Sequence, residues 1–210
     1  MVDPYKLAVD AALSMIKPLL AAAIEKNKKQ TERTVAYLRA AQTAVETLHR
    51  EFEAIVVQAG LCDMSNKDQV EALDRRIYVY LNSNEIRLSL WTALEGMRAN
   101  RALLQERVDS IFNMPWTIEE KQRVVADFVR TTEELEGFVK GLGYGDESGV
   151  GIKVLLDLQK CANQWRPVNL PAPDALRKIL AEPEAAGRLK VRKELAERAE
   201  KTINGLLAKF

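Results

Sequence analysis

The sequence predicts an all-α fold, a bundle of four to five long helices followed by a C-terminal helical hairpin. Apolar residues recur every three or four positions through most of the chain, which is the spacing of one helix face. Capping residues, glycines and prolines mark where these periodic stretches begin and end. The run IYVYL at 77–81 is typical of a strand, but its flanks are helical and no partner strand is evident, so we assign it to a helix.

The first helix is predicted over residues 4–24. Asp3 is a suitable N-cap, and Pro4 suits the first helical position because its missing N–H would have no partner there. At 1.5 Å per residue the helix would be about 31 Å long, close to the hydrocarbon thickness of a bilayer.

This helix is apolar on most of its circumference. In a helical projection Lys6, Asp10 and Lys17 share one narrow stripe, and large aliphatic side chains spread around the remainder. We take the following as candidates for a membrane or assembly surface: Leu7, Val9, Leu13, Ile16, Pro18, Leu20 and Ile24.

Two interpretations of the first helix stay open. It is either the central helix of the bundle, with its charged stripe at solvent, or an element that is released on activation and inserts into lipid. A constitutive transmembrane helix is disfavoured, because Asp10 and Lys17 would each cost up to roughly 3 kcal/mol in the hydrocarbon core of the bilayer. Release and insertion predict that Ile16→Glu abolishes lipid binding.

The second helix is predicted over 31–59, with Gly60 as its stop and a coiled-coil-like seam along one face. Residues 66–113 form one further helical stretch, or two, because the polar segment NSNEIR at 82–87 interrupts the apolar pattern.

A capping box then starts the next helix, since Thr117 is followed three residues later by Glu120. That helix should end at the glycines of GLGYGDESGVG. The segment IKVLLDLQKCANQW forms another helix, closed by Pro167.

The chain after residue 166 is predicted to differ in character. RPVNLPAPD is a proline-stiffened connector, and helices are expected near 174–181 and 184–208. We therefore divide the chain into a helical bundle over 1–166 and a connector with a C-terminal hairpin over 167–210. The last helix is basic and amphipathic, and packing on the bundle is favoured over a membrane surface.

Composition excludes some classes of function. The 31 Lys and Arg residues are balanced by 30 Asp and Glu residues, so a nucleic-acid partner is not expected. Cys62 and Cys161 form no CxxC pair and are expected to be reduced. Asp10 and Lys17 are atypical of a signal peptide. We expect a cytoplasmic protein, peripheral at the inner face of the membrane if the first helix binds lipid.

The sequence contains only weak matches to metal-binding and phosphate-binding motifs. Glu46 and His49 have the E-x-x-H spacing of di-iron bundles, but His49 is the single histidine and a second pair is required. GLGYGDESGVG follows a helix and lacks the Gly-Lys-Ser/Thr ending of a phosphate-binding loop. We therefore expect no enzyme, no metal and no cofactor.

The tryptophans are candidates for a partner surface, since aromatic residues dominate interface hot spots. Trp116 follows a Met-Pro turn and Trp165 lies at a predicted helix end, so both are expected to be partly exposed. Trp91 falls in an apolar helical stripe and is expected in the core.

The start MVDPYKLAVDAALSMIKPLL, followed by a charged turn and a long helix, resembles the N-terminal regions of HeLo-type and mixed-lineage-kinase-like four-helix-bundle cell-death domains. The resemblance covers residues 1–140 at most, and helices after residue 150 are additional. It implies oligomerisation and membrane permeabilisation after a signal from an attached sensor.

These observations lead to two hypotheses of function. The first is a non-catalytic module, such as an adaptor or signalling component, that acts through a protein partner or self-assembly. The alternative is a membrane-perturbing cell-death or defence effector that acts on an anionic membrane surface.

Overall fold

The computed structural model describes residues 3–25, 29–106, 115–142, 149–165 and 171–210, and every regular element within these ranges is helical. This confirms the all-α prediction. In chain order the helices are α1 (Pro4–Ile24), α2 (Gln30–Leu61), α3 (Lys67–Leu81), α4 (Asn84–Glu106), α5 (Ile118–Gly141), α6 (Ile152–Ala162), α7 (Ala175–Ala181) and α8 (Pro183–Leu207).

The helices begin where the sequence places capping residues. The Asp3 carboxylate accepts a hydrogen bond of 3.0 Å from the Tyr5 N–H. At the start of α5, the Thr117 hydroxyl accepts from the Glu120 N–H, and the Glu120 carboxylate accepts from the Thr117 N–H. These bonds satisfy N–H groups that the first turn of a helix leaves without partners.

The predicted interruptions are also present. The polar segment at 82–87 contains the boundary between α3 and α4, and α2 extends two residues beyond the predicted 59. Arg87 stabilises the corner between α3 and α4, because its guanidinium donates to the carbonyls of Tyr80 and Leu81. Residues 107–113, most of the glycine-rich loop and Pro167 lie outside the described ranges.

The central helix is α2, and the interpretation of α1 as the central helix is wrong. α2 packs against α1, α3, α4, α7 and α8, whereas α1 packs mainly on α2 and α4. The physical reason is that α2 carries small or apolar side chains on several faces over 32 residues, which lets helices approach from several sides. α1 buries one face and presents the other to solvent.

Gly96 permits one close helix–helix contact. A Cβ at Gly96 of α4 would lie 2.3 Å from the ring of Tyr37 on α2, so only glycine fits without movement of the ring.

Residues 171–210 share the core of the molecule. α8 packs against α5 and α2, and α7 packs against α6 and α2. Leu176 of α7 and Ile203 of α8 are fully buried. The C-terminal Phe210 meets Trp116 with ring centroids 5.6 Å apart. The C-terminal hairpin therefore covers apolar surface of the helices that precede it.

Candidate interaction surfaces

The structure divides the candidate residues of α1 between the core and the surface. Leu13, Ile16 and Leu20 are buried against the neighbouring helices, and Val9 is half-buried. Leu7, Pro18 and Ile24 are exposed. The predicted set is thus not one surface, because its members point to opposite sides of the helix.

One apolar strip of α1 faces solvent, and we name it the α1 stripe, formed by Leu7, Ala11, Met15 and Pro18. Leu7 is 59% exposed and Met15 is 56% exposed. Ser14 lies beside the stripe, and its hydroxyl donates to the Ala11 carbonyl at 2.7 Å and is thereby satisfied within the helix. The α1 stripe is therefore apolar in character although it lies at the surface.

The predicted charged stripe of α1 lies beside it. Lys6, Asp10 and Lys17 are all exposed. Lys17 forms an ion pair of 3.3 Å with Glu85 of α4, but both side chains are about two-thirds exposed (65% and 69%). Such a pair contributes little and is easily exchanged for another partner.

A second apolar surface lies between α2 and α3, and we name it the α2–α3 groove. It is an open groove of about 880 Å³ with Ala54, Val57, Leu61 and Ala72 as its apolar residues. Val57 is 59% exposed and Leu61 is 76% exposed. Tyr5 of α1 lies at one end, and the polar rim is formed by Glu53, Gln58, Asn66, Asp68, Gln69 and Arg76.

The rim of the α2–α3 groove carries more available negative charge than positive charge. Arg76 is occupied, because it bonds to Glu51 at 3.1 Å and to Gln58 at 3.3 Å and lies 4.4 Å from the ring centroid of Tyr5. Glu53 and Asp68 are the acidic groups on the rim, and Glu53 also lies 3.9 Å from Nε2 of His49. An occupant with basic groups beside an apolar face would suit this arrangement.

Cys62 lies where α2 ends and contributes to the lining of the groove. Burial raises the pKa of the Cys62 thiol, and the negative charges of Asp63 and of a Cys161 thiolate raise it further. The pKa of Asp63 is lowered because it accepts hydrogen bonds from the N–H and hydroxyl of Ser65. Cys62 is therefore a protonated thiol at neutral pH, which is a poor nucleophile.

His49 takes part in a link between helices. Its Nδ1 lies 2.8 Å from Glu200 of α8, and its Nε2 lies 3.9 Å from Glu53. Glu46, its partner in the E-x-x-H pattern, is exposed. Among the described residues no group of three or more His, Cys, Asp and Glu side chains could hold a metal ion.

Trp116 and Trp165 are half-buried at the margin of the core. Trp116 packs on Phe210, and the Trp165 ring lies 6.0 Å from the Lys67 ammonium. The expectation that Trp91 belongs to the core is wrong: it is 38% exposed, and the Arg98 guanidinium lies 5.4 Å from its ring. A long charged side chain thus covers this aromatic face at the surface.

Sequence reasoning missed Met15, Val57 and Leu61 as surface residues. Val57 and Leu61 fall outside the main seam of α2 with a spacing of four, and this second apolar strip was the available signal. The groove itself had no local signal, because it depends on how α3 packs against α2.

Within the part of the chain that the structure describes, one helix, α1, is long enough and apolar enough to cross a membrane. In its most apolar stretch of 18 residues, 28% of the residues are buried. A buried core helix or a signal sequence satisfies the same criteria. Comparisons with protein-family models, with curated proteins and with solved structures found no match to this chain.

Proposed function

We propose that this chain is a non-catalytic interaction module that binds a protein partner or a second copy of itself through exposed apolar helix surface. The observation that carries the proposal is the α1 stripe, where Leu7 and Met15 are each more than half exposed on the solvent-facing side of α1. Burial of these two side chains in an interface would contribute roughly 1 kcal/mol each at their present exposure. The α2–α3 groove offers further apolar surface on the same molecule.

The proposed mechanism is burial of surface and not bond chemistry. Contiguous exposed apolar surface with a polar margin is typical of protein–protein interaction sites. The cysteines support this view, since the pKa values of Cys62 and Cys161 are both raised by burial. Neither thiol is prepared for nucleophilic catalysis.

The test compares the wild type with Met15→Glu in two assays, sedimentation of the purified protein and capture of partners. We expect a discrete oligomer or a reproducible complex with the wild type and its loss in the variant. Ile118→Glu is a suitable control, because Ile118 is 60% exposed on α5, away from α1. A strictly monomeric wild type that captures no partner would contradict the proposal.

A second candidate function is the membrane-perturbing effector, and the properties of α1 favour it. α1 has the length and composition of a spanning helix and is attached to the bundle by one face only. Its release would expose Leu13, Ile16 and Leu20 together, and insertion into lipid would bury them again. Asp10 and Lys17 would oppose insertion unless they paired or remained hydrated.

The test of this candidate needs a variant other than Ile16→Glu. Ile16 is fully buried, so a glutamate there would disrupt the core. Activity would then be lost because the protein unfolds, whether or not α1 binds lipid. Met15→Glu changes an exposed neighbour instead. Co-sedimentation and dye release with phosphatidylserine-containing vesicles should then fall while the helicity is retained. Equal leakage by wild type and Met15→Glu would count against this candidate.

A further inference from the structure

We infer that two copies of this chain associate about a two-fold axis, with the α1 stripe of each copy packed into the α2–α3 groove of the other. The inference rests on the proposed function and deepens it by naming the partner as a second copy of the chain. Three observations carry it: the position of the two surfaces, their dimensions and their charge.

The two surfaces adjoin each other. Tyr5 lines the end of the α2–α3 groove. Leu7, the first member of the α1 stripe, lies in the same N-terminal turn but about 200° further around the helix. The Arg76 guanidinium, 4.4 Å from the centroid of the Tyr5 ring, fixes this end of α1 against α3. A partner that fills the groove therefore meets the N-terminal turn of α1, with the stripe on the outer side of that turn.

The dimensions of the two surfaces match. Leu7 and Met15 are eight residues apart along α1, which corresponds to about 12 Å of helix. Glu53 and Leu61, at the two ends of the α2 wall of the groove, are also eight residues apart. The groove volume of about 880 Å³ is sufficient for several large side chains but remains open along its length. Two turns of a helix would thus lie along it with Leu7 and Met15 facing its apolar residues.

Charge complements shape at the same contact. The basic groups beside the stripe are Lys6 and Lys17, whereas the acidic groups on the groove rim are Glu53 and Asp68. Lys17 is able to change partner because its pair with Glu85 is largely exposed. Asp10 lies between the two lysines, so the α1 edge carries one net positive charge. The rim, with Glu53, Asp68 and Arg76, carries one net negative charge.

Reciprocity follows from the neighbouring position of the surfaces. In a two-fold dimer the same pair of patches is used twice, once in each direction. Both stripes and both grooves are then covered, which closes the assembly at two copies. A head-to-tail contact between the same surfaces would leave one stripe and one groove open at the ends.

The first experiment measures the mass of the full chain in solution by light scattering and sedimentation, from low to high micromolar concentration. We expect a dimer whose dissociation constant rises by about tenfold or more in Met15→Glu and in Leu61→Glu. Both residues are exposed, so the variants should retain the helicity and thermal stability of the wild type. Ile118→Glu, with a comparable exposed residue on α5, should remain dimeric.

The second experiment mixes the two disrupted variants. Met15→Glu retains an intact groove and Leu61→Glu retains an intact stripe, so a mixed pair has one complete contact while each variant alone has none. Mixing should therefore give stronger association than either variant shows alone. Charge exchange gives an independent check: Lys6→Glu/Lys17→Glu or Glu53→Lys/Asp68→Lys should weaken the dimer, and a mixture of the two should regain it.

The outcomes separate this inference from the proposed function. A dimer that both Met15→Glu and Leu61→Glu leave unchanged would overturn the stripe-and-groove contact, but self-assembly would stand. Failure of the mixed variants to associate more strongly than either alone would also overturn it. A wild-type monomer at all concentrations would overturn the inference, while capture of a different protein by the same surface would keep the proposed function.

Discussion

The guanidinium carbon of Arg192 lies 4.6 Å from the ring centroid of Phe138, in the interior of the bundle. The ring of Phe52 lies on another side at 5.0 Å, and Arg192 is only 1% exposed. Among the described residues no carboxylate pairs with Arg192, and its Nη2 reaches the Leu48 carbonyl and the Tyr80 hydroxyl only at 3.5 Å. A buried cation is thus compensated mainly by aromatic faces.

Replacement of Arg192 by methionine should leave the free energy of unfolding unchanged or raise it by about 1–2 kcal/mol. Methionine fills a similar volume without the cost of desolvating a charge that lacks an ionic partner. Arg192→Ala should instead lower it by about 2–4 kcal/mol, because a cavity remains between the rings. Urea denaturation measures both changes, and Arg198→Met on the exposed side of α8 serves as the control. A large loss of stability in Arg192→Met would show that the charge is required.

Gly96→Ala should destabilise the fold by up to about 2 kcal/mol. The new methyl group would lie 2.3 Å from the Tyr37 ring, and this clash outweighs the roughly 1 kcal/mol that alanine gains over glycine in a helix. Gly187→Ala is the matched control, since no atom lies within 4 Å of a Cβ there, and it should stabilise α8. Thermal unfolding compares the two. If the clash is the cause, adding Tyr37→Leu to Gly96→Ala should recover most of the lost stability.

The ion pair between α4 and α5 should make stability depend on pH. The Arg98 guanidinium donates to Glu136 at 2.8 Å and lowers the pKa of that carboxyl. Because the folded pKa is the lower one, the stabilisation is present above the ordinary value of 4.5 and is lost as the pH falls through the folded pKa. Both side chains are partly exposed, so the effect is small.

Glu136→Gln tests this pH dependence. The difference in unfolding free energy between the wild type and Glu136→Gln should be present at pH 7 and shrink under acid conditions, as followed by urea denaturation at several pH values. Glu133→Gln provides the control, because its pair with Arg101 is longer, at 3.6 Å, and more exposed. A difference that stays constant across the pH range would contradict the assignment.

The two thiols should react slowly in the native protein. Burial raises the pKa of Cys161 as well as that of Cys62, so little thiolate is present at neutral pH. Reaction with an aromatic disulfide reagent should become much faster after unfolding in urea. Single Cys62→Ser and Cys161→Ser variants assign the two rates. Equal rates in the native and unfolded protein would show that the thiols are freely accessible.

Local signals in the sequence predicted the helix boundaries well. Caps such as Asp3 and the box of Thr117 and Glu120 act over a few residues, so they are visible without knowledge of the fold. The identity of the central helix was not visible in this way. α1 has the more apolar sequence, but α2 has suitable faces for more neighbours, and only the packed arrangement reveals this.

The surface sites were predictable only in part. The periodic pattern identified α1 as an unusual helix, but it assigned Ile16 and Leu7 to one candidate set although one is buried and the other exposed. Arg192 falls on the apolar face of the last helix, in register with Leu189 and Ala199, but its type predicts a solvated side chain. Its contacts with Phe52 and Phe138 depend on residues distant in the chain. Contacts of this range leave no periodic signature.

The position of α2 has a consequence for cooperativity. Since α2 forms a wall for helices from both ends of the chain, including α1 and α8, loss of either end removes part of its covering. Residues 1–166 alone would expose the surface of Phe52 and its neighbours that α8 covers. We therefore expect the whole chain to unfold in one transition, and a fragment that stops at the proline-rich connector to behave as a loosely packed, aggregation-prone species instead of an autonomous domain.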